Sequence, residues 1–260
     1  MTFIETVREI IRFRDLVTAL VVRELKMRYR GSILGFLWSF LNPLLLMAVY
    51  ALVFSFFTRH QIEHYTLFVL TGLLPWLWFS TGLSHSVGSI VGGGPLIKKI
   101  VFPVEILPLV TVLSNLANYL LSLPVLVAFF LFFGVNLTAW ALFLPVLILV
   151  QFVFMTGLAL ALASLNVYLK DIEQVMGNLL TLAFFLTPIL YPASFVPERL
   201  KILLYMNPLA PLFEGYRNVL FYGSPPPWEW LGGLTILSLL IAAAGFATFN
   251  HLRDAFAEEV

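Results

Sequence analysis

The sequence predicts an all-α membrane protein: six transmembrane helices, an N-terminal amphipathic interfacial helix, and short re-entrant or periplasmic helices before the last span. Sixty per cent of the 260 residues are hydrophobic and only 11% are charged. Soluble domains are closer to half apolar and a quarter charged. A chain of this length cannot hide so much apolar surface in a core of its own, so lipid must solvate part of it.

The first region, residues 1–33, is predicted to be a cytoplasmic amphipathic interface helix. Ile4, Val7 and Ile11 recur at helical spacing with charged residues between them, and a break is expected near Arg14–Asp15. A simple membrane anchor is one interpretation. Acidic residues gain nothing at an anionic lipid surface, however, so the four acids of this region favour contact with a protein.

The second region, residues 34–260, is predicted to be the transmembrane domain. A helix needs about 20 apolar residues to cross a bilayer. Five stretches are long enough, and a sixth, 175–190, is short. The predicted spans are 34–57, 66–91, 106–133, 139–165, 175–190 and 230–249.

Between the last two spans, residues 191–229 contain seven prolines and six charged residues. Proline interrupts helices, so this stretch is predicted to be broken and partly embedded in the membrane.

Charge placement predicts the orientation of the spans. The segments on one side of the six-span arrangement hold eleven cations and those on the other side hold four. Because cytoplasmic loops carry the excess of Lys and Arg, both termini are expected to be cytoplasmic. The eleven are Arg8, Arg12, Arg14, Arg23, Lys26, Arg28, Arg30, Lys98, Lys99, Lys170 and Arg253.

The chain has few residues of the types that act in catalysis or bind metal ions. The chain has no cysteine, and its four histidines lack the spacing of a metal site. His85 is the single titratable group within a predicted span, where a histidine hydrogen-bonded between helices is the simpler interpretation. We therefore expect no metal, no cofactor and no catalytic residue in this chain.

The glycine-rich run at residues 92–99, GGGPLIKK, resembles a phosphate-binding loop only superficially. It lacks the final Gly-Lys-Ser/Thr, and no strand precedes it. A flexible turn is expected instead. ATP hydrolysis within this chain is not supported, so an energy source would have to be another subunit.

The same loop, residues 92–105, carries the features of a contact segment. Pro95 can start a short helix, and Ile97, Ile100 and Val101 would form an apolar stripe at i, i+3 and i+4. Lys98 and Lys99 flank this stripe. The alternative is that the two lysines only orient the adjoining spans.

Four motifs together resemble the ABC-2-type transporter permeases, in particular those that export O-antigen and teichoic-acid polysaccharides. They occur in order along the chain and span most of it. The motifs are RELKMRYRGSILGFLWSFLNPLL from Arg23, NVYLKDIEQ from Asn166, TPILYP from Thr187 and NPLAPLFEGYR from Asn207.

The resemblance implies a homodimer that works with two copies of an ABC ATPase subunit, which bind ATP and Mg. It implies export of a lipid-linked polysaccharide across the bacterial inner membrane. The ATPase contacts would fall in residues 4–30 and 92–105, including Arg8, Arg12, Glu24, Ile97, Lys98, Lys99, Ile100 and Val101.

In the family, the segment after span five forms short re-entrant helices on the outer side, here about residues 197–222. Glu214 and Arg217 lie in it, three residues apart, so we expect them to share a helix face and interact. Two solvated charges in a loop are the alternative.

Aromatic residues suggest a route for sugars, because ring faces can stack on sugar rings without strongly directional bonds. Tryptophans also gather at membrane interfaces, and Trp76, Trp78, Trp228 and Trp230 are more typical of such belts. The path candidates are Phe36, Trp38 and Phe40 near the start of span one, and Phe184, Phe185 and Tyr191 near the end of span five.

Other functions remain open at this point. An ABC-2 permease for a small hydrophobic drug, for a lipid, or for a teichoic-acid or capsule precursor would have the same composition. A membrane scaffold or enzyme subunit without transport is an alternative of a different class.

Overall fold

The computed structural model describes residues 3–29, 31–32, 34–38, 41, 44–46, 48–49, 52, 62–253 and 256. Within these residues the regular structure is helical. Half of the predicted first span, 34–57, lies outside them, and the 3₁₀ turn Gly35–Leu37 is described at its start.

The N-terminal region forms two helices, α1 (Phe3–Arg12) and α2 (Arg14–Tyr29). They are nearly continuous, because the Phe13 N–H donates to the Glu9 carbonyl at 2.9 Å and the Val17 N–H donates to the Phe13 carbonyl at 3.0 Å. The boundary therefore falls one residue before the predicted break.

Four helices are long and apolar enough to cross a membrane among the residues that are described. They correspond to predicted spans two, three, four and six. They are α3 (Tyr65–Val87), α4 (Ile106–Phe132), α5 (Leu144–Tyr168), which the 3₁₀ turn Ala139–Phe143 precedes, and α8 (Trp228–Leu252).

The predicted fifth span is shifted. Helix α6 (Asp171–Leu186) begins four residues earlier and ends four residues earlier than 175–190. It ends at Leu186 because Pro188 disfavours helical backbone at Thr187, which is extended at φ −92° and ψ 136°. At 16 residues, α6 is shorter than the four spans.

Short helices fill the stretch between α6 and α8. Their order is 3₁₀ turns at Ala193–Phe195 and Glu198–Leu200, a helix at Lys201–Met206, α7 (Leu209–Arg217) and a π turn at Asn218–Tyr222. Gly223, at φ 59°, ends the π turn in a left-handed conformation that favours glycine.

Helix α3 lies at the centre of the bundle. Its apolar side chains Phe68, Leu73 and Trp78 are buried, together with Tyr119 of α4 and Met155 of α5. Trp78 stacks on Tyr119, with ring centroids 5.4 Å apart. The same helix borders α6 and α7, so it connects the elements that carry the candidate site.

Small residues let α5 and α8 approach each other. A β-carbon on Gly157 would lie 2.6 Å from the Ala242 Cα, and Gly245 faces the Gly157 backbone. Apolar surface does not drive helices together in lipid, so close backbone packing of this kind is a main source of association.

Loops and helix ends gather at two ends of the bundle. We call one the basic end, which contains residues 14–29, 88–105, 168–174 and 249–253. There, the Tyr168 hydroxyl donates to the Leu252 carbonyl at 2.9 Å. The opposite end contains residues 62–66, 132–140 and 187–228, where the Tyr65 hydroxyl donates to the Leu190 carbonyl at 2.8 Å.

Candidate functional site

At the basic end, α2 packs against the start of α4. Val17 is buried in a cluster with Phe102, Ile106 and Val110, and Ile10, Phe13 and Leu20 border it. One side of the N-terminal helices is thus covered by the chain itself. Arg8, Ile11 and Arg12 lie on exposed positions that remain available to a partner.

Glu24 is already engaged within its own helix. Its carboxylate accepts a hydrogen bond from Arg28 Nη2 at 3.4 Å, one turn away. The same Arg28 nitrogen lies 3.4 Å from His85 Nδ1 at the end of α3. His85 of α3 therefore contacts α2, which agrees with the simpler interpretation of a histidine placed between two helices.

The loop between α3 and α4 contains two single-turn helices, Ser89–Gly92 and Gly94–Ile97, and Pro95 occupies the first turn of the second. Ile97 ends this helix and borders two of the chain's own apolar clusters. Ile100 and Val101 follow beyond its end and are 50% and 96% exposed. The structure thus separates Ile97, which packs inward, from the two residues open to a partner.

Lys98 and Lys99 are both exposed beside this loop. Lys99 also lines a 710 Å³ cavity between α2, the loop and the ends of α3, α4 and α6. Arg23, Glu24, His85 and Glu173 contribute to the same cavity, so it holds both signs of charge. The two segments predicted to contact an ATPase meet around it.

An ion pair connects the loop to the C-terminal end of α8. Arg253 Nη1 lies 3.5 Å from Glu105 Oε1, and the Glu105 side chain is buried. Burying a carboxylate without a cation is costly, so this contact stabilises the position of the loop against the last span.

Two of the six path candidates meet beside the spans. Phe184 and Phe185 of α6 line a 390 Å³ cavity with Trp76 of α3 and with Leu46 from the predicted first span. Phe184 is buried against Trp76 at a ring distance of 5.5 Å, and Phe185 is exposed.

The other path candidates are placed differently. Tyr191 donates its hydroxyl proton to the Phe185 carbonyl at 2.8 Å, which ties it to the end of α6. Trp38 donates to the Ser32 hydroxyl at 2.9 Å. Phe40 and the side chain of Phe36 lie outside the described residues.

The tryptophan belt predicted at α3 is wrong. Trp76 and Trp78 are 5% and 2% exposed, and both contact aromatic side chains inside the bundle. Because lipid and protein interior are both apolar, a tryptophan in a span can face either.

The predicted interaction of Glu214 with Arg217 does not take the form of an ion pair. Arg217 is 3% exposed and donates to the carbonyls of Ile189 and, at 3.3 Å, Tyr191. Its guanidinium lies 4.0 Å from the centre of the Phe68 ring. Glu214 instead is exposed, and no ion pair joins it to Arg217 in the described part of the chain.

Arg217 therefore acts as a clamp that sequence analysis missed. It holds the extended residues after α6 against the first half of α3, where a β-carbon on Gly72 would come 3.2 Å from Arg217 Nη2. The available signal was Pro188, which ends α6 and so places the carbonyls that follow it outside a helix, where they need other donors.

Within the residues that the structure describes, no group of three His, Asp or Glu side chains is arranged to hold a metal ion. Charged segments at one end, an aromatic cavity beside the spans and helices long and apolar enough to cross a bilayer define a helical membrane protein.

Comparison with known proteins specifies this class. The family model for ABC-2 type transporters matches residues 15–221. The chain belongs to the ABC-2 type transporter family.

Relatives match over nearly the whole length. The chain is 39% identical over 259 residues to the O-antigen export system permease protein RfbA of Myxococcus xanthus, covering 99% of this chain and 100% of the relative. It is 34% identical to the protein of the same name from Klebsiella pneumoniae, with 94% of each covered. The polysialic acid transport protein KpsM of Escherichia coli is 26% identical, with 92% of this chain and 94% of the relative covered.

Proposed function

We propose that this chain is the permease subunit of an ATP-driven exporter that moves a lipid-linked, O-antigen-like polysaccharide from the cytoplasm across the inner membrane. The observation that carries this proposal is the end-to-end similarity, at 39% and 34% identity, to two O-antigen export permeases. The remaining assignments follow from the charges and contacts of the chain.

The chain works as a homodimer with two ABC ATPase subunits, which bind ATP and Mg. Exposed Val101, Ile100, Lys98 and Lys99 at the basic end support a docking surface there. The ion pair of Glu105 with Arg253 and the packing of α2 on α4 attach this surface rigidly to the spans. Motion of an attached ATPase can then reach the membrane part.

The basic end faces the cytoplasm in this proposal, and both termini lie on that side. The cation asymmetry supports this orientation. The predicted first span and the short helix α6 complete six crossings, and α1 with α2 lies along the membrane surface. The short helices of residues 193–222 then form the outer side of the path.

A capsule precursor is the second candidate substrate, since KpsM and a capsule polysaccharide export protein of Neisseria meningitidis are also relatives. Their identities of 26% and 23% are lower than those of the O-antigen permeases. Teichoic-acid precursors, drugs and lipids have no relative among these comparisons that favours them.

The test is to purify the permease with its ABC ATPase partner and to reconstitute both in vesicles. A lipid-linked O-antigen-type glycan should stimulate ATP hydrolysis, and a capsule-type glycan should stimulate it less. Stimulation by hydrophobic drugs or phospholipid alone, with no response to any glycan, would contradict the proposal.

A further inference from the structure

A third cavity lies at the end of the bundle opposite the basic end, away from the aromatic cavity beside α6. It has a volume of 390 Å³, within the range of about 300–1,000 Å³ common for small-molecule sites. Pro188, the short helices before α7, α7 itself and the start of α8 surround it. Its polar lining comes from Ser194, Lys201 and Glu214, and its aromatic lining is Trp230.

These four side chains offer the chemistry that recognises a sugar. An indole presents a large flat apolar face, and a carboxylate accepts hydrogen bonds from hydroxyl groups. Charge-assisted bonds of this kind are roughly twice as strong as neutral ones. The Ser194 hydroxyl and the Lys201 ammonium add donors, and Lys201 is held near the cavity by its ion pair with Glu198.

The two tryptophans at the start of α8 differ in their surroundings. Trp228 and Trp230 are equally exposed, at 49% and 50%. The Trp228 ring packs edge-on against Phe143 at 5.1 Å, whereas Trp230 lines the cavity beside Glu214. An interfacial belt accounts for Trp228 but gives no reason for Trp230 to share a cavity with a carboxylate.

We propose that this cavity binds one or two sugar units of the glycan as it leaves the transporter, with Trp230 stacking on a ring and Glu214 accepting its hydroxyl protons. This inference rests on the proposed function and deepens it by assigning a glycan subsite. A lipid phosphate is disfavoured because the Glu214 carboxylate would repel it, while the charge of Lys201 is already balanced by its ion pair with Glu198. The site therefore takes neutral or cationic sugars in preference to acidic ones.

Because the chain has no cysteine, single cysteines report access to the cavity. A Ser194→Cys variant places a thiol in the lining, and Arg199→Cys places one on a nearby exposed position outside it. Both are treated with a membrane-impermeant maleimide in cells that make the glycan and in cells that do not. We expect glycan synthesis to slow labelling of Ser194→Cys severalfold and to leave Arg199→Cys unchanged.

Equal labelling of Ser194→Cys in both strains would overturn the proposal. Slow labelling in both strains, relieved only when lipid is removed, would show a lipid occupant and would also overturn it. These readouts need only an inserted protein, so they do not depend on how any variant transports.

Export provides an independent test. Trp230→Ala should lower the export rate severalfold, Trp230→Phe should retain most of it, and the matched control Trp228→Ala should resemble the wild type. Glu214→Gln should lower export because a neutral amide accepts weaker hydrogen bonds. If Trp230→Ala exported at the wild-type rate, the sugar subsite would be refuted and the proposed function would be unaffected. A wild-type complex that responds to no glycan would instead refute the proposed function.

Discussion

Gly157 of α5 and Ala242 of α8 face each other so closely that a β-carbon on Gly157 would lie 2.6 Å from the Ala242 Cα. The obstacle is backbone, which cannot move aside as a flexible side chain would. The crossing of these two spans therefore depends on the absence of a side chain at this position.

Gly157→Ala should destabilise the folded subunit by about 1–3 kcal/mol, the usual cost of overpacking. The measurement is thermal unfolding in detergent, monitored as the loss of soluble monodisperse protein with temperature. Gly232→Ala in α8 is the matched control, because a β-carbon there meets no atom within 4 Å. If both variants melted together with the wild type, the close crossing would not contribute to stability.

The ion pair of Glu105 and Arg253 should stabilise the loop before α4. Glu105→Gln or Arg253→Gln is expected to cost about 1–3 kcal/mol, at the lower end of buried pairs because Arg253 is partly exposed. Thermal unfolding measures the loss. The double variant should cost clearly less than the sum of the two single changes, and additive effects would contradict the pairing.

Arg217 should stabilise the segment that follows α6. Arg217→Met removes the donors to the Ile189 and Tyr191 carbonyls and is expected to cost about 1–3 kcal/mol. Arg217→Lys keeps the charge but loses the planar fork, so it should fall between Met and wild type. Proteolysis of residues 187–206 in detergent is a suitable readout. Exchanging Glu214 and Arg217 should not restore stability. Restored stability in the exchanged variant would show that the two side chains form an ion pair.

Docking of an ATPase should depend on the outward-facing residues of the loop. Val101→Asp is expected to leave insertion and thermal stability unchanged while reducing co-purification of the ATPase and export, because Val101 is 96% exposed. Leu200→Asp, at an exposed position of the opposite end, is the control. Ile97→Asp is a poor probe, since Ile97 packs against the chain's own clusters. Full ATPase binding by Val101→Asp would argue against this surface.

Orientation can be measured with the same cysteine chemistry. Lys98→Cys should be labelled only after the inner membrane is opened, whereas Arg199→Cys should react with an impermeant reagent in cells whose outer membrane alone is permeable. Both positions are exposed, so access depends on sidedness. Labelling of Arg199→Cys only from the cytoplasm would reverse the proposed topology.

Patterns along the sequence predicted the helices well where the length and composition of an apolar run determine the position of a span. Four spans were predicted within a few residues of α3, α4, α5 and α8, since an apolar run of sufficient length can satisfy its backbone in lipid only as a helix. Helix α6 begins and ends four residues earlier than predicted. The turn before the helix is short, and Pro188 disfavours helical backbone at Thr187.

Side-chain partners were predicted poorly, and the loop shows why. Ile97, Ile100 and Val101 were expected on one helical face, but the helix stops at Ile97. The later two residues then follow the loop rather than a helical period. A stripe predicted from spacing is valid only as far as the helix extends.

The sequence alone determined that lipid is this protein's solvent, that its spans are helices, and that one end collects the cations. Those properties depend on composition and order along the chain. The tertiary structure decided that Trp76 and Trp78 face inward, that Arg217 binds carbonyls rather than Glu214, and that Trp230 lines a cavity. In water, polarity marks the exposed face of a helix. In lipid, both faces are apolar, so only the packing of one helix on another determines where each side chain lies.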